Sequence, residues 1–139
     1  MDLDFQAVCD YASLSVDGKV NIMGIFQEIN PDGYPCIAPS LFVVVSFKAF
    51  PAEYGMEKRV KLVLVDPDGA IIATAEANPI KLPRPTRPGG ESRMNQIFGL
   101  QGIPFQRHGP HSFEILVDND TKGHIALLLN EAPAPGGPQ

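Results

Sequence analysis

CDYASLSVDGKVNIMGIF, residues 9–26, sets a cysteine, an aspartate and a tyrosine in a row ahead of an Asp-Gly pair. Read as a strand, the row cannot be a catalytic cluster. Successive strand side chains point to opposite faces, so Cys9 and Tyr11 share one face and Asp10 takes the other. Asp17-Gly18 supports that reading, because a two-residue type I′ hairpin turn needs positive φ at both central positions. Pairing Val16 with Lys19 then predicts Cys9 opposite Phe26 and Tyr11 opposite Gly24, where the ring can lie over bare backbone. The stretch is one β-hairpin, and the rest of the chain follows its pattern.

A second hairpin reads RVKLVLV-DPDG-AIIATAEA, with Pro67 at the second position of a type I turn and Gly69 at the left-handed position that follows. A third reads HSFEILV-DNDTKG-HIALLLN, with Phe113, Ile115 and Val117 alternating on one arm and Ile125, Leu127 and Leu129 on the other. Between the first two lies LFVVVSFKAF, residues 41–50, apolar at every odd position and near its start on the other face too, as a central strand must be. YPCIAP ahead of it reads as a proline-flanked loop, and NQIFGLQGIPF as a short strand broken by Gly99 and Gly102. No segment keeps a helical period. The expected fold is an all-β, single-domain antiparallel β-sandwich of about eight strands over residues 1–131, with a small β-barrel as the alternative. A long exposed Pro-rich loop is expected at about 78–93, and a disordered Pro/Gly tail at 132–139.

The net charge of −5 argues against a general affinity for nucleic acid or anionic lipid, both of which attract basic surfaces. No apolar run is long enough to span a bilayer and the acidic N-terminus lacks signal-peptide character, so the expected location is cytoplasmic. Two cysteines, Cys9 and Cys36, make no disulfide framework.

The chemical candidates thin out under inspection. No G-x-S-x-G elbow or phosphate-cradling loop occurs. His108 and His111 are the only close histidine pair, short of the three or four ligands that zinc takes. DNDTKG starts like an EF-hand loop, but Lys122 stands where an oxygen ligand belongs and Leu129 where the bidentate glutamate should be. Asp66, Asp68, Asp118 and Asp120 are the remaining calcium candidates, as loop aspartates of a sandwich, but turn chemistry is the favoured explanation for them. The one basic concentration runs from Lys81 to Arg93, and Arg84, Arg87 and Arg93 are its candidate partner-binding residues. PRPTRP there adopts extended polyproline geometry at low entropic cost.

Taken together, CDYASLSVDGKVNIMGIF, LFVVVSF, LVDPDG, GIPF and GPHSFEILVD resemble an uncharacterised bacterial family known only as a domain of unknown function. The resemblance covers most of residues 5–130 and fades over Pro79–Ser92 and the tail. It implies a free-standing all-β domain of bacterial origin and transfers no activity. The expected role is a non-catalytic protein-binding or assembly module, with a protein partner or a second copy (a homodimer) bound and no cofactor. The rival is a calcium- or zinc-dependent ligand binder or hydrolase using loop Asp and His residues.

Overall fold

The computed structural model describes residues 1–133, so the expected tail from 134 onward lies outside the described residues. In chain order the elements are β1 (Asp2–Leu14), β2 (Val20–Ile25), β3 (Glu28–Ile29), β4 (Cys36–Ala49), a 3-10 turn (Pro51–Glu53), β5 (Glu57–Lys58), β6 (Val60–Val65), β7 (Ile71–Glu76), β8 (Ile80–Lys81), β9 (Ser92–Phe105), β10 (Gly109–Val117) and β11 (Asp120–Leu129). One sheet has the order β2-β1-β4-β9 and the other β3-β11-β10-β6-β7, with β5 and β8 forming a small two-stranded ribbon. Neither sheet closes into a barrel, and the fold is an all-β sandwich.

The core is the interface of the two sheets. Leu41, Val43, Val45, Phe47 and Ala49 of β4 are all buried, facing Val60, Leu62 and Leu64 of β6, Phe113, Ile115 and Val117 of β10, and Leu127 and Leu129 of β11. Burying each such side chain contributes roughly 1.5–3 kcal/mol before conformational entropy is counted. A smaller cluster of Cys9, Ala12 and Val44 lies on the opposite face of the first sheet, roofed by Phe42, Ile22 and Ile97. This is why β4 is apolar on both faces near its middle.

The turns differ from expectation in instructive ways. The Asp17-Gly18 hairpin forms, but one residue out of the predicted register: Tyr11 pairs with Met23, Ala12 with Ile22 and Leu14 with Val20. Only Gly18 has positive φ, and Gly18 N–H donates to Ser15 O while Ser15 N–H donates to Lys19 O. The turn is thus type I closed by a left-handed glycine, which a two-residue type I′ reading of Asp-Gly does not anticipate. Asp66 to Gly69 builds the same turn, as expected there, with Asp66 Oδ1 accepting from the Asp68 and Ala70 amides at 2.9 Å each. Type I′ geometry appears instead in the third hairpin, where Asp118 and Asn119 both have positive φ. That contracts the expected six-residue turn to two, and a bulge between Ile115 and Leu116 absorbs the slack.

Two expected interruptions are strands. Cys36 to Pro39, read as part of the YPCIAP loop, belongs to the first part of β4. Gly99 and Gly102 do not break β9, which pairs with β4 from Ser92 to Phe105. Gly99 is there for space: a Cβ would stand 3.1 Å from the Phe42 ring.

The Pro-rich loop is also shorter than expected. Ile80–Lys81 forms β8, and Leu82 is a core residue at 1 % exposure. Its amide donates to Met56 O and its carbonyl accepts from Gly55 N–H, both at 2.9 Å. Replacing this plug, Leu82→Ala, is expected to cost about 2–5 kcal/mol in unfolding free energy measured by urea denaturation. A loss under ~0.5 kcal/mol would show that Leu82 is not packed in the core.

Candidate functional site

β4 is paired unequally on its two sides. β9 accompanies it from Cys36 to Ala49, whereas the last pair with β1 is Cys9 with Phe42. Beyond Cys9 the first strand pairs with β2, leaving Cys36 to Leu41, among the described residues, with a neighbour on one side only. Pro39, which has no N–H to give, sits in this stretch, as prolines in sheets do where a ladder is missing.

An open cleft of about 690 Å³ lies along that half-paired end. Leu41 and Phe105 form its apolar floor, Ile25 and Ile37 its exposed apolar sides, and Asp10, Glu28 and Asp32 its acidic residues. No Lys, Arg or His is among the lining residues. The volume lies within the ~300–1,000 Å³ range of ligand pockets.

Each wall is held in place. Segment 27–34 is tied to β11 and its exit: Leu128 N–H donates to Gln27 O, Asn130 N–H to Ile29 O, the Tyr34 hydroxyl to Asn130 O (2.6 Å), and Asn130 Nδ2 to Asn30 Oδ1 (2.7 Å). On the other side Gly24, at φ +68°, makes room for an acid. A Cβ there would stand 2.3 Å from Asp10 Oδ2. The glycine expected to accommodate Tyr11 accommodates Asp10 instead, and Tyr11 packs edge-on against Phe42 with centroids 5.1 Å apart.

The two thiols differ. Cys9 is fully buried, its Sγ 3.5 Å from Tyr11 O, and burial pushes its pKa up. Cys36 lines the cleft half-buried, and burial pushes it up as well. Both are free. No histidine lines the cleft with Cys36; His111 is buried against Phe105 with Nδ1 3.0 Å from Gly109 O, and His108 lies beside Tyr34 outside it.

The sequence-derived candidates fall elsewhere. Asp66 and Asp68 sit in the β6–β7 turn, facing Arg107, and Asp66 is held below the usual carboxylate range by the Ala70 amide above all. Asp118 lies at the opposite end of β6, its Oδ1 accepting from Arg59 N–H and its Oδ2 3.5 Å from Lys58 Nζ. The structure therefore does not bring the two aspartate pairs together. Among the described residues, no three His, Cys, Asp or Glu gather as a metal site would require. Arg93 is engaged by Asp4 and Glu91 and belongs to the body of the sheet. Arg84 and Arg87 are exposed on the loop and form no ion pair among the described residues.

The cleft itself went unread in the sequence, although one signal bore on it. Between Lys19 and Lys48 the chain has no Lys, Arg or His, while Glu28 and Asp32 lie within the same span.

A two-sheet sandwich of this size with one acid-rimmed cleft is a scaffold-and-site arrangement. The chain belongs to a family of unknown function, DUF6941, whose family model matches residues 4–130. No curated protein matches it at a significant level. No helix among the described residues is long and apolar enough to cross a membrane.

Because burial holds both thiols in the protonated form, alkylation of the native protein by iodoacetamide should label Cys36 alone. Its rate should still be rising as pH passes the ordinary thiol range. Labelling of Cys9 without denaturant, or a Cys36 rate already level near neutrality, would contradict this placement.

Proposed function

We propose that the chain is a non-catalytic protein-binding module that takes an extended segment of a partner protein along the half-paired end of β4. The carrying observation is the coincidence, in one cleft, of an unpaired strand edge, apolar side walls and three carboxylates with no cation among the lining residues. Backbone groups of a half-paired strand bind an added strand, flanking pockets select its side chains, and carboxylates favour a cationic one. Cys36 is the one thiol among the lining residues, and no histidine lines the cleft with it, which favours recognition over acyl transfer. With this reading goes that of a cytoplasmic protein of a bacterial cell, supported by the acidic charge balance and the family resemblance.

Panning a random peptide display library on the immobilised protein tests the reading. Enriched peptides should carry Arg or Lys beside apolar residues, and Glu28→Lys and Ile37→Ser should each weaken them by about tenfold or more. Absence of enrichment, or peptides indifferent to both substitutions, would overturn it.

A further inference from the structure

The acidic cleft has a counterpart on the same chain. Residues 83–91 form a basic, Pro-rich knob clamped at both ends: Leu82 is plugged into the core, and the buried Ser92 hydroxyl donates to Pro83 O at 2.6 Å. Within it Gly90 N–H donates to Arg87 O at 3.0 Å, and Pro85 is half-buried. A loop held this way loses little entropy on docking. It presents Arg84 and Arg87, neither with a carboxylate partner among the described residues.

Knob and cleft lie at opposite poles. The knob stands over the C-terminal end of β4, where Ala49 pairs with Ser92 and Lys48 Nζ meets Glu91 at 2.6 Å. The cleft lies along Cys36 to Leu41, at the N-terminal end. A strand of this length spans roughly 45 Å, so a knob cannot reach the cleft of its own molecule.

We infer that the chain assembles head to tail, the basic Pro-rich knob of one copy seating in the acid-rimmed cleft of the next. This rests on the reading of the cleft as a site for an extended cationic segment, and it names that segment. Arg84 and Arg87 meet Glu28, Asp32 and Asp10, while Pro83 and Pro85, ahead of the turn at Arg87–Gly90, lie against Ile37 and the open edge of β4. The interface is heterologous: each copy offers two different surfaces, so assembly closes into a ring or continues as a filament. A knob of this size buries little area, so association is weak, concentration-dependent and suppressed by salt.

Sedimentation velocity on the full chain in low salt, across a concentration series, tests it with two variants. Arg84→Glu/Arg87→Glu removes the knob, and Glu28→Lys/Asp32→Lys removes the cleft. The wild type should associate, each variant alone should stay monomeric with affinity weakened about tenfold or more, and an equimolar mixture should associate again. The mixture doubles as the folding control, since each variant supplies the surface the other lacks. A synthetic peptide of residues 81–93 should compete with wild-type assembly. A wild type that stays monomeric to its solubility limit, a knob variant that associates as the wild type does, or a mixture that stays monomeric would each overturn the inference. If library peptides bind the cleft while the chain remains monomeric, self-docking fails and the binding reading survives; if no peptide binds and assembly persists in the cleft variant, both fail.

Discussion

The unequal pairing of β4 is the constraint on which the rest depends. Its odd-numbered residues from Leu41 to Ala49 face the second sheet and are all buried in the core. β9 follows it to both ends, and at Gly99 the absent side chain leaves room for the Phe42 ring, which a Cβ would crowd. β1 follows it only as far as Phe42, then continues with β2. A strand buried on one face, fully paired on one edge and half-paired on the other must leave backbone groups seeking partners at one end. The cleft is built around that end.

The other long edge is managed differently. β9 lies at the border of its sheet, and a border strand of such length invites unwanted pairing. Here it carries Pro104, a left-handed Gly102 and an Arg93 already held by Asp4 and Glu91. These features blunt its edge, whereas the open end of β4 is flanked by apolar walls and carboxylates. Of these two edges, the open end of β4 is the one that lines the cleft.

Much of the sandwich was legible in the sequence because alternation and turn chemistry are local. Apolar residues on every second position located the core faces of β4, β10 and β11, and Asp66-Pro67-Asp68-Gly69 gave its turn type correctly. Asp17-Gly18 located a turn, but its reading as type I′ named the wrong class, since Asp-Gly serves as the close of a type I turn as well as the centre of a type I′ turn. One residue of register hung on that choice, and with it whether Gly24 faces Tyr11 or Asp10. Gly99 looks like a break because its reason, the Phe42 ring, comes from a neighbouring strand, and Gly102 does because its left-handed φ is accommodated within a continuous ladder. The cleft was hidden for a related cause. Asp10, Glu28, Cys36 and Phe105 are distant in the chain and meet only because β1 parts from β4 at Cys9. Where a ladder ends is a tertiary fact.

Residue-resolved amide hydrogen exchange along β4, on the Arg84→Glu/Arg87→Glu variant so that no second copy covers the cleft, tests the unequal pairing most directly. Amides from Phe42 to Lys48 should be protected without a gap, and between Cys36 and Leu41 protected and fast-exchanging amides should alternate, Pro39 having none. Uniform protection through Cys36 to Leu41 would mean that this end already has partners on both sides. The cleft would then not be an open strand edge.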